Sequence, residues 1–292
     1  MSNSEIDWIQ GNKFCSLQNE NIIFCSTHEV NNFFKKCQKE KPFILISHNS
    51  DGYITDNPRP INTLKTHHHA DIRLIPKNLH KWYGCMIESK HEKISSIPIG
   101  VENNEHFGNK GEIIKEINKY KIEKKNDKLI YVNFKISNNY LERIQAYNAI
   151  KNSNFCTFTD KMFTEQQINP PKEPFPFVNK ENYEKFAYEV KSHKFVLCPT
   201  GNGLESHRLW ETLYLGSIPI VRRNINYSFY EDKLPILMID NWEEITDKLL
   251  EEKYIEIENK QKNFYYKLEM LNFSFWKDLI EKEYKNVLQN KF

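Results

Sequence analysis

The chain has 292 residues, enough for one large domain or two modest ones, and a hydrophobic fraction of 39% supplies a core. Its 41 Lys and Arg nearly balance its 39 Asp and Glu, and a net charge of +2 gives no bulk attraction to nucleic acid or membrane. Any anion must therefore be bound locally. Six scattered cysteines without CxxC spacing are expected to be reduced and mostly buried. With no recognisable signal peptide or spanning segment, we expect a cytoplasmic protein.

The first half predicts an α/β unit. Residues 42–47 are a continuous apolar run typical of a buried strand, and residues 71–75 and 94–99 are weaker strand candidates. Helices are predicted around residues 30–39 and 79–84. Within the second of these, Trp82 and Tyr83 could stack on a sugar, but a position in the core is favoured. The charged residues 111–128 are the predicted domain boundary.

The second half has a clearer alternation of strands and helices, which indicates a parallel sheet with helices on both faces. The first predicted elements are a strand over 129–134, a helix over 140–150, a strand over 155–159 and a proline-rich loop over 169–179. A helix over 183–192, a strand over 195–199, a turn, a helix over 207–215 and a strand over 217–221 follow. The last two predicted elements are a strand over 234–239 and a helix over 242–250. Ser206 is the predicted N-cap of the central helix and Gly216 its end. An amphipathic helix is expected within residues 264–292.

One segment carries the chemistry of a binding site. Residues 200–211 read TGNGLESHRLWE and join a buried strand to a helix, where open parallel sheets bind their ligands. Glycines let a phosphate or sugar approach the backbone, and the helix start favours a diphosphate. Glu211 could accept hydrogen bonds from a ribose or orient His207. A plain glycine-containing turn is the alternative interpretation. The candidate binding residues here are Thr200, Gly201, Asn202, Gly203, Glu205, Ser206, His207, Arg208 and Glu211.

Residues 194–221, KFVLCPTGNGLESHRLWETLYLGSIPIV, resemble the donor-binding signature of exostosin-like glycosyltransferases. In that family a strand ending in Cys-Pro precedes a Gly-containing loop, a Ser, an Arg, a helix with Glu, and Gly-x-x-Pro-Ile/Val. Residues 234–236 and 241–245 are similar to the family's Leu-Pro strand and following Trp. The likeness covers residues 129–250 and is weak before them. A stand-alone viral or bacterial member is the better comparison, because animal members carry a membrane anchor.

The resemblance implies an α/β fold of GT-B type, with two Rossmann-like domains facing a cleft. Residues 1–123 would bind the acceptor, residues 124–270 the nucleotide-sugar, and residues 271–292 would form a helix that packs back on the first domain. It also implies an inverting transfer from a nucleotide-diphosphate donor, with UDP-xylose or a UDP-hexose favoured, to a glycan hydroxyl.

No cofactor or metal is expected, since the sequence lacks the Asp-x-Asp clamp of the other large glycosyltransferase fold. Arg143 and Arg208 would then stabilise the leaving diphosphate. Asn133, near the end of the strand at 129–134, and Lys135, directly after it, complete the predicted donor site.

An inverting transfer needs a general base to deprotonate the acceptor hydroxyl. Residues 48–52, HNSDG, follow the strand at 42–47 and would face the cleft. Asp51 is the first candidate and His48 the second, with Asp71 and Glu102 next; a simple Asp-Gly turn is the alternative. His67 to His69 favour a solvated or locally hydrogen-bonded loop over a metal site, because adjacent histidines splay apart; a role in the acceptor site is the alternative.

Two other functions stay open from the sequence. One is a fucosyltransferase-like GT-B enzyme that uses a GDP-sugar. The other is a nonenzymatic protein that binds a nucleotide or a glycan.

Overall fold

The computed structural model describes residues 6–37, 41–57, 69–125, 127–159 and 180–289. Within these ranges the chain forms two larger parallel sheets whose strands alternate with helices, and the predicted α/β fold is confirmed. The predicted loop over 169–179 lies outside the described residues, as do His67 and His68.

The first sheet is built from the residues before 97. The elements of this half are α1 (Gly11–Cys15), β1 (Ile22–Ser26), α2 (Val30–Lys36), β2 (Phe43–His48), β3 (Ile54–Thr55), β4 (Ala70–Asp71), β5 (Leu79–Gly84), β6 (Ile94–Ser96), α3 (Asn104–Phe107) and α4 (Lys110–Asn118). The strand order is β1-β2-β5-β6, and all pairs are parallel. Every residue of β2 is buried, because strands flank it on both sides and its sequence is almost wholly apolar.

The second sheet begins near residue 130. Its elements are β7 (Ile130–Val132), α5 (Tyr140–Ile150), β8 (Cys156–Phe158), α6 (Lys180–Ser192), β9 (Phe195–Leu197), α7 (His207–Tyr214), β10 (Ile218–Arg222), α8 (Ile225–Ser228), β11 (Leu237–Ile239), α9 (Asp247–Lys262) and α10 (Phe273–Gln289). The five parallel strands lie in the order β11-β10-β9-β7-β8. After β7 the chain first extends the sheet on one side through β8 and then on the other through β9. The sheet therefore has a topological switch point between β7 and β9, where doubly wound folds bind ligands.

Most predicted elements of the second half are confirmed, and the helix over 140–150 has the predicted bounds. The predicted helix over 242–250 is wrong in part. Residues Trp242–Glu244 form a separate 3-10 turn, and α9 starts at Asp247, where the Thr246 side chain accepts the backbone N–H of Leu249 as a cap. The N-cap at Thr246 interrupts what the sequence pattern presents as one helix.

Two predictions in the first half are wrong. Residues 79–84 form β5 rather than a helix, because they lie between β2 and β6, where Trp82 and Tyr83 become core residues. Residues 71–75 form mainly a 3-10 turn, which the Asp71 carboxylate caps by accepting the backbone N–H of Arg73. The favoured core position of Trp82 is confirmed: its indole N–H donates to Ser47 Oγ at 2.8 Å.

The last helix, α10, contacts the amino-terminal part of the chain. The backbone N–H of Phe273 donates to the carbonyl of Asp7 at 2.8 Å, and its ring meets Phe14 edge-on at 5.1 Å between centroids. Near the far end, Glu283 pairs with His80 of β5 at 2.6 Å. The helix therefore contacts both the region around α1 and strand β5 of the first sheet.

All six cysteines are free, as predicted, but only Cys85, Cys156 and Cys198 are buried. Burial raises the pKa of both Cys156 and Cys198 to about 12, which keeps these thiols protonated and unreactive. The expected burial therefore holds for half of the cysteines.

Candidate active site

The candidate site lies at the switch point of the second sheet. The segment after β7 carries Asn133 and Lys135, and the segment after β9 runs from Thr200 to the start of α7. Parallel pairing of β7 with β9 brings both segments to the same edge of the sheet. The two stretches that the sequence assigns to the donor are therefore neighbours.

Arg143, on α5, connects these two segments. Its side chain is buried, with 7% exposed, and donates from Nε to the Thr200 carbonyl at 2.9 Å and from Nη1 to the Lys135 carbonyl at 2.6 Å. Its Nη2 lies over Gly201, where a Cβ atom would come within 2.9 Å of it. Gly201 is therefore the position that leaves room for this guanidinium.

Arg208, in the first turn of α7, lies close to Arg143. It donates from Nη1 to the Asn133 carbonyl, and its guanidinium stacks over the Phe186 ring at 4.1 Å. Burial, and after it the positive charge of Arg208, lower the pKa of Arg143 to about 10. Both of these bonds of Arg143 go to backbone carbonyls rather than to a carboxylate, so its guanidinium is suited to an anion.

His207 points away from the arginines, toward the first sheet. Its Nδ1–H donates to the Gly100 carbonyl at 2.7 Å, and Nε2 lies 3.1 Å from the Glu102 carboxylate. Burial opposes the charged imidazolium, but Glu102 outweighs it, and the pKa of His207 is raised. It is Glu102 that orients His207, a role the sequence suggested for Glu211.

Glu211 instead pairs with two cations. Lys110 of α4 contacts one carboxylate oxygen at 3.1 Å, and Nε of Arg208 the other at 3.3 Å. Burial alone would raise the pKa of Glu211, but Lys110 and Arg208 lower it to about 2. Glu211 therefore stays ionised and holds Arg208 in place.

Glu205 is buried between the two halves of the chain. Its carboxylate accepts the Trp210 indole N–H, the Ile99 backbone N–H at 3.2 Å and the Asn226 side-chain N–H at 2.9 Å. Burial raises its pKa to about 7 against these three bonds. With both oxygens occupied inside the protein, Glu205 connects α7 and α8 to the segment after β6, and its predicted contact with a ligand stays a prediction.

The rest of the loop contacts both halves. Tyr53, which follows β2, donates its hydroxyl to the Asn202 carbonyl at 3.3 Å. A Cβ on Gly203 would come within 2.7 Å of the Met86 side chain, so this glycine permits a close contact between the halves. Thr200 Oγ1 accepts the Asn139 amide at 3.1 Å.

The predicted N-cap position of Ser206 is confirmed, but its hydroxyl makes no capping bond. That oxygen is buried without a partner among the described residues. Asn133 and Lys135 contribute backbone carbonyls to the two arginines, and the Asn133 amide donates to Tyr131 Oη at 2.8 Å. The role the structure gives to both residues is to position Arg143 and Arg208.

The two base candidates have different surroundings. His48 is buried at the end of β2; its Nδ1 accepts the Asn49 backbone N–H at 2.7 Å, and its Nε2 lies 3.2 Å from the Pro98 carbonyl. Burial lowers the pKa of His48 to about 4, so it is neutral at pH 7. Asp51 is half-buried in the same loop, two residues before Tyr53.

The two further candidates for the base, Asp71 and Glu102, are both in ion pairs. Asp71 forms a two-point pair with Arg73, at 2.8 and 2.7 Å, which lowers its pKa. Glu102 pairs with His207, which lowers its pKa to about 2 in spite of burial. A carboxylate held so firmly in its charged form is a weak proton acceptor at neutral pH.

The sequence missed Tyr53 and Lys110, which contact the candidate site from the first half. No local motif marks either residue, because each meets its partner only when the halves pack together. Their partners Asn202 and Glu211 are 149 and 101 residues away along the chain.

Two surface cavities lie apart from the arginine pair. One of about 500 Å³ lies between the segment after β5 and α8, with Lys90, His91 and Phe229 in its wall. The other, of about 510 Å³, lies beside the end of α4, between Tyr120 and Tyr188. Neither wall contains a predicted site residue, so the candidate site is identified from its side-chain contacts and not from either cavity.

The described ranges contain no group of three or more His, Cys, Asp or Glu side chains placed to hold a metal ion. They also contain no helix with the length and apolar character needed to cross a membrane.

Comparison with known proteins identifies the family. No curated protein matches the chain. The family model described as the RXYLT1 C-terminal domain matches residues 117–292, which is more than half of the chain and includes β7, β9 and both arginines. The resemblance to exostosin-like enzymes is thereby confirmed at the level of a glycosyltransferase family. The chain belongs to the RXYLT1 C-terminal domain family, an exostosin-related xylosyltransferase family, and it is a glycosyltransferase.

Proposed function

We propose that this glycosyltransferase moves xylose from UDP-xylose to a hydroxyl of a glycan acceptor, with inversion and without a divalent cation. The observation that supports this most is the pair of Arg143 and Arg208 at the switch point between β7 and β9. The family match supports xylose as the sugar.

The arginine pair has the chemistry that a leaving diphosphate requires. Guanidinium groups offer planar forks of N–H donors that match phosphate oxygens. Backbone carbonyls and the Phe186 ring hold both groups in position before a ligand arrives, so little reorganisation is needed. The amino end of α7 adds the positive end of a helix dipole. In this proposal these groups take the place of a metal ion.

The first sheet would supply the base. Among the two candidates we favour Asp51, because His48 is buried and both its ring nitrogens are engaged. The hydrogen bond from Tyr53 to Asn202 draws the Asp51 loop toward the donor loop. A carboxylate on that loop would take the proton of the acceptor hydroxyl. The oxygen of this hydroxyl would then attack the sugar carbon from the face opposite the diphosphate.

The proposed architecture is GT-B, with an acceptor domain over residues 1–123 and a donor domain over residues 124–270. Two separate parallel sheets and a site between their loops support this division. The contacts of α10 with Asp7, Phe14 and His80 support its assignment as a helix that returns to the first domain.

A binding panel tests the proposal. The thermal unfolding of the full chain is followed with UDP, GDP, UDP-xylose, UDP-glucose and GDP-fucose. A ligand at about 100 times its dissociation constant adds about 2.7 kcal/mol of stability. We expect stabilisation by UDP and UDP-xylose and its loss in Arg143→Ala. A response to GDP and GDP-fucose alone would instead favour the fucosyltransferase-like alternative.

A further inference from the structure

Lys110 is the only first-half cation that the described contacts place on the carboxylate of Glu211. It opens α4, and its side chain is 14% exposed, while that of Glu211 is 3% exposed. Its ammonium also lies 5.3 Å from the centre of the Tyr183 ring. A lysine buried to this degree loses hydration, so its position calls for a physical reason.

Charge balance supplies that reason. Glu211 also contacts Arg208, so without Lys110 one negative charge would face one positive charge. The site would then retain little attraction for an anion beyond Arg143. With Lys110 present, the side chains of Arg143, Arg208, Glu211 and Lys110 carry a net charge of +2. The neighbouring pair of His207 with Glu102 adds no net charge when the imidazole is protonated.

We propose that Lys110 is a positioning residue of the donor site: it neutralises Glu211, so that Arg208 stays fixed in place yet keeps its positive charge for the donor diphosphate. This inference rests on the proposed function, since it requires a diphosphate beside Arg208. It assigns to the first half of the chain a part in donor binding, although Lys110 reaches the ligand only through Glu211 and Arg208.

The test measures UDP affinity by calorimetry on the full chain at low salt. Lys110→Met should weaken UDP binding about ten- to a hundredfold, the range for one charged hydrogen bond. Removing both charges in Lys110→Met/Glu211→Gln should restore the affinity to within about threefold, because the net charge returns to +2 and the amide oxygen can still accept from Arg208 Nε. Lys110→Arg should bind like the parent. Lys119→Met, which removes an exposed lysine at the C-cap of α4 that pairs with Glu116, is the matched control and should leave UDP affinity unchanged.

The double variant separates charge balance from a purely structural role. If Lys110 only stabilised the fold, adding Glu211→Gln would not restore UDP binding. An unchanged affinity in Lys110→Met, or a double variant as weak as the single one, overturns the inference. Should Lys110→Met fail to fold by circular dichroism, Glu211→Gln alone decides: retained or tighter UDP binding supports the inference, and a folded protein with tenfold weaker binding contradicts it. If the parent binds no UDP, the proposed function fails instead.

Discussion

The Nη2 atom of Arg143 occupies the space that a side chain on Gly201 would need, at 2.9 Å from the position of a Cβ. The backbone of the donor loop and the guanidinium are therefore fitted to each other. A substitution at Gly201 acts on the arginine as well as on the loop.

Gly201→Ala should displace the guanidinium and weaken UDP binding about tenfold, while the two bonds from Arg143 to backbone carbonyls are strained or lost. Gly203→Ala is the matched comparison, since its methyl meets the flexible end of Met86 instead. That variant should lose stability with a smaller change in affinity. Equal affinities in the two variants would contradict the role given to Gly201.

Arg208→Ala should lower kcat/KM for the donor by about ten- to a hundredfold, because a charged hydrogen bond contributes about 1.5–3 kcal/mol. Arg208→Lys should recover only part of this loss, because an ammonium lacks the planar fork of donors. The measurement is steady-state release of UDP, with circular dichroism to confirm the fold. Near-normal kinetics in a folded Arg208→Ala variant would remove this residue from the site.

Asp51→Asn should lower kcat by about 10²–10⁴, the usual effect of removing a general base. UDP affinity should change little, because the arginines that would bind the diphosphate lie on α5 and α7, in the second half of the chain. Rapid-quench and calorimetric measurements together resolve the two quantities. A turnover unchanged by Asp51→Asn would mean that another group accepts the proton.

Transfer should persist in excess EDTA, since the arginine pair is proposed to stabilise the leaving diphosphate. The check compares initial rates with EDTA, with magnesium and with manganese. A strict requirement for either ion would contradict the metal-independent mechanism.

The ion pair of His207 with Glu102 should give a pH-dependent stability. The pKa of His207 is raised above 6.5, so its contribution is full below pH 6.5 and is lost as pH rises through the folded value. The pKa of Glu102 is lowered from 4.5 to about 2, so its contribution is present above pH 4.5 and is lost as pH falls toward 2. The pair therefore stabilises most between pH 4.5 and 6.5.

Glu102→Gln should accordingly cost about 1.5 kcal/mol near pH 5.5 and progressively less as the pH rises above 6.5. Urea unfolding at a series of pH values measures this difference. Glu112→Gln, at an exposed position of α4, is the control and should show no such profile. A cost that grows with rising pH would show that the pair has been misassigned.

The sequence predicted the second sheet well and the first sheet less well, for physical reasons. Strands such as Phe195–Leu197 are short apolar runs set between amphipathic helices, so local pattern suffices. Residues 79–84, LHKWYG, have no such pattern, and they form a strand because β2 and β6 lie beside them. Their state depends on partners distant in sequence, which a local window does not contain.

The contacts of the candidate site also differ in how well the sequence predicts them. The approach of Arg143 to the loop after β9 follows from the expected parallel sheet, since strand ends meet at one edge. The contacts of Lys110, Tyr53 and Glu102 depend on how the two halves pack, and no spacing in the sequence reveals them. A glutamate at position 205 could bind a ligand hydroxyl, but its three internal hydrogen-bond partners make it part of the contact between the two halves of the chain.

The position of α10 has a consequence for biosynthesis. Its partners Asp7, Phe14 and His80 precede the helix by a long stretch of chain, so they are synthesised well before it. The surface of the first half that α10 covers is therefore exposed until the helix has been made. This half completes its packing only after α10 is available, and in the interval the exposed surface can be bound by chaperones.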